Sequence, residues 1–218
     1  MLSETLNTTV QNLNLLNNAE RTRTLYNRKK EYEKHLLKLA NEYKQRIDWI
    51  KRAESAGFTK SSSLLKSCQV SHNELIALVR ELNGDNNTYE SSKLDPFRTD
   101  IQNLSRCIES DWAEYYKETI SPTIKLLNVI EQLEPGKTQR YKKILEDNKK
   151  WTVELDSNRV VETKRTADAL VRDLNLNDAI RTFLLKVNKR MATLDDIDEE
   201  VSEWIRENGF ERKFRINF

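Results

Sequence analysis

Arg28 and His35 lie seven positions apart in a stretch with helical apolar spacing, and they are the one pair in the chain with the parts for phosphate-ester chemistry. An imidazole there would serve as general base or acid, and a guanidinium two turns away would steady a phosphate. They sit within a basic run, Arg21, Arg23, Arg28, Lys29, Lys30, Lys34 and Lys38, interleaved with Tyr26 and Tyr32. Such a run could track a nucleic-acid backbone, with the rings as stacking platforms. Successive helix positions diverge by about 100°, however, which spreads these charges around the axis. The chain holds two histidines, His35 and His72, and no C-x-x-C motif, so a histidine-rich metal site within one chain is excluded.

Three other patterns reduce to structural roles. Gly136-Lys137-Thr138 matches the end of a phosphate-binding loop, but Glu131 occupies the first glycine position and no strand pattern precedes it. A helix-helix turn is the expectation. The acidic run Asp195, Asp196, Asp198, Glu199 and Glu200 lacks the glycine and distant glutamate of an EF-hand and reads as helix capping with a solvated face. No G-x-S-x-G elbow accompanies the serines. The residues therefore call for no cofactor and no metal.

The Arg28 to His35 spacing resembles the R-x(4-6)-H signature of the HEPN ribonucleases, all-helical dimers in which the histidine would be acid or base and the arginine would hold the phosphate. Lys29 stands where that family usually has a polar Asn, His or Asp. At the other end, Ala192 to Gly209 with its Phe-rich tail resembles the closing segments of small helical bacterial proteins that accompany larger defence or ATPase machines. That resemblance implies an accessory subunit and transfers no site residue.

The elements that must position these residues are helices. Four Gly and three Pro in 218 residues leave long uninterrupted stretches, while 37% hydrophobic and 33% charged residues, with mean hydropathy −0.78, are too polar for one spherical core. The expected fold is all-α, an elongated helical bundle or coiled-coil hairpins of six to eight helices. Leu2, Leu6, Val10, Leu13, Leu16 and Ala19 predict a first amphipathic helix. Leu36, Ala40, Tyr43, Ile47 and Ile50 step 4-3-4-3 as a heptad seam in a helix ended by Ala56-Gly57. Ser61 to Ser63 predict a short helix, and Ser71-His-Asn-Glu74 a capping box opening another. Asp95-Pro96 predicts the start of a long helix, which Ser121-Pro122 kinks or restarts. Beyond Glu134-Pro135-Gly136, Tyr141, Ile144, Leu145, Trp151 and Leu155 predict one helix and Val160 to Leu174 a second, continuous with the first or separate. Asn177-Asp178 and Asp195 or Asp196 open the last two. Trp49, Trp112, Trp151 and Trp204 fall at helical apolar positions and predict core contacts.

Domain organisation follows as 1–134, a coiled-coil-like region; 135–209, a C-terminal helical region; and 210–218, a strand or tail. Phe210 and the alternating Phe214-Arg215-Ile216-Asn217-Phe218 predict a short C-terminal strand after Asn208-Gly209. Its backbone could add to the edge of another protein's sheet, with Phe210, Phe214, Arg215, Ile216 and Phe218 as the partner-binding residues. Net charge is +2, although residues 21–52 hold eleven Lys/Arg against four Asp/Glu and residues 195–207 hold seven Asp/Glu against one Arg. Cys68 and Cys107 read as reduced thiols, and no leader or membrane-span pattern is present, so the expectation is a cytoplasmic protein without a membrane role. The function expected is a non-catalytic accessory or scaffold subunit binding protein partners in a larger complex, with homodimerisation open. A nucleic-acid-binding protein using residues 21–52 and a HEPN-like ribonuclease are the alternatives.

Overall fold

The computed structural model describes residues 2–84, 89–173 and 176–214. Among them the regular structure is all-helical, in the order α1 (Leu2–Ser55), α2 (Ser62–Asn83), a 3-10 turn (Ser91–Leu94), α3 (Asp95–Tyr115), a π-helical turn (Tyr116–Ile120), α4 (Ser121–Leu133), α5 (Gln139–Asp147), α6 (Ser157–Asp173), α7 (Asp178–Asn188), a 3-10 turn (Leu194–Asp196) and α8 (Glu199–Glu207). The chain divides into two compact units, residues 1–48 with 61–107, and residues 49–60 with 108–218.

In the first unit α1 supplies a seam whose buried members are Tyr32, Leu36, Leu39 and Tyr43, with Ala40 half-buried. The first two predicted helical stretches are one helix. Between them the sequence has polar residues but no Gly or Pro, so nothing breaks the hydrogen-bond ladder. The Tyr43 hydroxyl donates to the Cys68 carbonyl at 3.4 Å, while Glu74 and Glu81, further along α2, lie close enough to Tyr32 to raise its phenol pKa behind the larger effect of burial. α2 thus runs back along α1. Its N-cap is Ser61, whose Oγ accepts from the Leu64 N–H at 3.1 Å. The expected second start at Ser71 does not occur. Ser71 is fully buried inside α2, and Leu64, Ser71 and Leu78 recur every seven residues on the buried face, so packing holds the serine where its capping chemistry is unused. α3 returns alongside α1, with Phe97 tilted against Tyr43 at 6.0 Å and Ser105 accepting from Arg46 Nε at 2.7 Å. Lys93 and Glu81 form an ion pair. Cys68 and Cys107 are half-buried thiols that are not joined in a disulfide.

The second unit is built on aromatic residues. Trp49 is fully buried and meets Phe58, Trp112 and Trp151 edge-on at centroid distances of 5.6, 5.7 and 5.7 Å. Its indole N–H donates to the Leu155 carbonyl at 2.9 Å, and that of Trp112 to the Asn148 carbonyl at 3.1 Å. Trp151 belongs to a loop rather than a helix. Asn148 Nδ2 takes the Ile144 carbonyl at 2.7 Å as α5 ends, and Asp156 receives the Arg159 N–H as α6 begins, so α5 and α6 are separate. Pro122 lies in the first turn of α4, so the helix restarts at Ser121 as expected, directly after the π-helical turn. Because the proline cannot donate into the preceding turn, the ladder widens just before it, and the Ser121 N–H reaches back five residues to the Tyr116 carbonyl.

A second core gathers Val129, Ile130 and Leu133 of α4, Ile180, Phe183 and Leu184 of α7, Val201, Trp204 and Ile205 of α8, and Phe210. Asn177 caps α7 through the Ile180 N–H and Asp198 caps α8 through the Val201 N–H, both at 2.8 Å. Asp196 closes a box with Thr193 and pairs with Lys186. The acidic run therefore caps helices, as its placement predicted. The C-terminal strand is corrected over the described residues. Residues 211–213 form a turn, Phe210 is buried against Trp204 at 5.4 Å, and Phe214 packs on Phe183 at 5.3 Å and on Trp204. Both rings reach the one Trp204 side chain, whereas an extended run would set residues four apart about 13 Å from each other, and so the shared core favours a turn. Arg215, Ile216 and Phe218 lie outside the described residues, as do Asn217, Leu174 and the side chains of Leu2, Leu6 and Val10.

Candidate functional site

The first part of α1 is where the chain's own packing runs out. Stepping three and four along the helix, Leu15, Asn18, Thr22, Leu25, Lys29, Tyr32, Leu36, Leu39 and Tyr43 form one continuous stripe. From Tyr32 onward this stripe is buried. At Lys29 the ammonium sits over the Tyr89 ring, 5.7 Å from its centroid, and Tyr89 in turn lies 6.0 Å from Tyr32. Before that point the cover stops. Every residue from 11 to 24 is exposed, with Leu13 at 55%, Leu15 at 67% and Leu16 at 61% of their full accessibility. Helices in proteins are held mainly by packing of an apolar face, so an uncovered stretch of this length is an unusual feature for a chain to keep to itself.

The basic residues of α1 separate into groups. Arg21, Arg23, Arg28, Lys30, Lys34 and Lys38 are exposed and Lys29 is half-buried against Tyr89. Arg21 and Arg28 share a shallow groove with Asn17, Glu20, Thr24 and Leu25. His35 does not join them. It lines a separate cleft of about 260 Å³ with Lys38, Leu39, Glu42 and Arg46 of α1 and Arg98, Ile101 and Gln102 of α3. Its Nε2 lies 3.9 Å from Glu31 Oε2. Arg28 and His35 share a helix face at a rise of about 10 Å, but the helix places them in different depressions. The neighbours the structure gives His35 are instead Arg46 and Arg98. Spacing along α1 could not reveal them, because Arg98 arrives on another helix. Arg46 is fixed by Ser105 Oγ and by the Glu42 carbonyl, each at 2.7 Å, and burial lowers its pKa, partly opposed by the Glu42 carboxylate. Arg98 is paired with Asp95.

The Gly136-Lys137-Thr138 turn holds an anion of its own. Glu131 Oε1 accepts from the Gly136 N–H at 2.5 Å, and its Oε2 from the Thr138 N–H at 2.9 Å and hydroxyl at 2.7 Å. The carboxylate thus occupies the donors that a nucleotide phosphate would need, and the Gly136 N–H foremost, then the Thr138 hydroxyl and N–H, hold its pKa down at about 2. Gly136 has φ +88, a conformation that fits glycine. Phe210 and Phe214, expected at a partner's sheet edge, are committed to the core around Trp204. No group of three or more His, Cys, Asp or Glu side chains suited to a metal ion occurs among the described residues, and no helix among them is long and apolar enough to cross a membrane. No protein-family model matches the chain, and neither a curated protein nor a solved structure matches it.

Proposed function

We propose that this protein is a non-catalytic accessory or scaffold subunit, and that the uncovered part of α1 docks a helix of a partner protein in coiled-coil fashion. One observation carries the reading: the stripe that α2 and Tyr89 cover from Lys29 onward continues through the half-buried Leu25 to the exposed Thr22, Asn18 and Leu15. Residues 11–31 hold Arg21, Arg23, Arg28, Lys29 and Lys30 against Glu20 and Glu31, so a partner helix with acidic flanks fits better than a parallel second copy, whose like charges would face each other. Attachment to a larger machine agrees with this reading.

The test uses photo-crosslinkers at Leu15 and Thr22 in cells that naturally make the protein, with Lys137 on the Glu131 turn as a control. Adducts to one protein from the first two positions and none from Lys137, lost in Leu13→Asp/Leu16→Asp, are expected. Adducts that are equal from all three positions, or unchanged by the double substitution, would overturn it. Nucleic-acid binding is the rival that the exposed Arg21, Arg23, Arg28, Lys30, Lys34 and Lys38 favour, and it requires an affinity that falls steeply with salt. RNA cleavage abolished by His35→Ala would install the ribonuclease reading instead.

A further inference from the structure

The second unit contains a basic cleft that the proposed docking function does not use. It has a volume of about 530 Å³ and is walled by the π-helical turn and the start of α4 on one side, with Glu118, Pro122 and Leu126, and by α6 and α7 on the other. Its cations are Lys164, Arg165, Arg172 and Arg181, and its carboxylates Glu118 and Asp168. Asp168 is already engaged on both oxygens, by the Thr123 hydroxyl at 2.8 Å and by Lys164 Nζ at 2.5 Å. That leaves three guanidinium groups facing one exposed carboxylate, Glu118.

Arg181 is the telling member. Its Nε is buried and without a hydrogen-bond partner among the described residues, although the side chain lines the cleft. A buried donor left open is costly unless something fills it, and a guanidinium edge presents parallel N–H groups that match two oxygens of a phosphate. Pro122 explains why the ladder is widened here, and a π-helical turn on the wall of a cleft is a common accompaniment of binding sites. The size suits a small molecule rather than a bare ion, and Leu126 and Val171 supply an apolar wall.

We propose that this cleft binds a phosphate group, carried by a small molecule or free, with the half-buried Arg181 as the anchor and Arg165 and Arg172 closing on it from α6. Calorimetric titration of the full chain with inorganic phosphate and with adenosine monophosphate tests this at low salt. Saturable binding of either probe is expected, weakened about tenfold or more by Arg181→Gln, as loss of a charge-assisted pair implies, and about threefold or more by Arg165→Gln, whose exposed side chain leaves the fold intact. Arg21→Gln on α1 should bind like the wild type. Tighter binding of the nucleotide identifies an organic phosphate as the ligand, and equal binding identifies the free oxyanion. The proposal fails if neither probe binds, if Arg181→Gln and Arg165→Gln bind like the wild type, or if Arg21→Gln weakens binding as much as they do.

Discussion

Replacing Thr138 by valine should destabilise the second unit although the two side chains have the same shape. Thr138 is fully buried, and its hydroxyl lies 2.9 Å from the Leu127 carbonyl and 2.7 Å from Glu131 Oε2. Valine preserves the packing and removes the hydroxyl, whose one proton serves one of these acceptors at a time, so the buried Leu127 carbonyl is left short of a donor or Glu131 loses one of its own. Such a loss costs about 1–3 kcal/mol. In a chain of this length each kcal/mol moves the melting temperature by about 2–4 °C, so the expected drop is about 2–12 °C. Thermal unfolding followed by circular dichroism at neutral pH reads it. Thr138→Ser keeps the hydroxyl and loses one methyl, and should fall by less than the valine variant. Glu131→Gln combined with Thr138→Val should cost less than the sum of the two alone, because both disturb the same cluster. A valine variant that melts with the wild type, or a serine variant that melts below the valine variant, would refute the view that Glu131 is held as the turn's internal anion.

The same carboxylate has a pH signature. Its pKa is about 2 in the fold against 4.5 for a free side chain, so its contribution is complete above about pH 4.5 and disappears as the pH falls through 2. The gap in melting temperature between wild type and Glu131→Gln should close over that window, and a constant gap would contradict the assignment. Trp49→Ala empties the centre of the aromatic cluster and should cost about 3–5 kcal/mol, measured by denaturant unfolding. Trp49→Phe, which keeps a ring but leaves the Leu155 carbonyl without its indole donor, should cost less. Phe210→Ala should also destabilise by about 3–5 kcal/mol, since Phe210 is buried on Trp204. A Phe210→Ala protein as stable as the wild type would return that residue to a partner-facing role.

Helical periodicity carried the all-α fold, the cap at Asn177, and the burial of Trp49, Trp112 and Trp204, because each depends on spacing within one element, whereas the helix expected to open at Asp195 or Asp196 starts later, capped by Asp198 after a 3-10 turn. It misled at Ser71, where a genuine capping pattern lay inside a helix whose other residues already had a better start at Ser61. It misled at Trp151, which has helical spacing from Tyr141 but is drawn into a loop by Trp49, a residue about a hundred positions away. The alternation in the tail was overridden at Phe214 by Phe183 and Trp204 for the same reason. The clefts were the least legible features. Arg98 meets the His35 cleft from α3, and Arg181 meets α6 and the π-helical turn from α7, so both groupings exist only once helices are assembled.

The widened turn before Pro122 also sets the phase of everything that follows it. Ile108, Trp112, Tyr116, Ile120 and Ile124 are all buried, and each lies four residues after the last. On an unbroken α-helix every such step overshoots a full rotation by about 40°, and four of them would swing the apolar stripe through about 160°, nearly to the opposite side. One looser coil takes up the surplus and brings Ile120 and Ile124 back into line. Excising a single residue between Tyr116 and Ile120 would let the rod become a regular helix with its apolar face still aligned, whereas tightening the coil with every residue kept would turn the rest of α4 by about 100°, out of step with α6 and α7. The irregularity is thus a built-in adjustment of angle, and tightening it in place would undo the packing of the whole second unit.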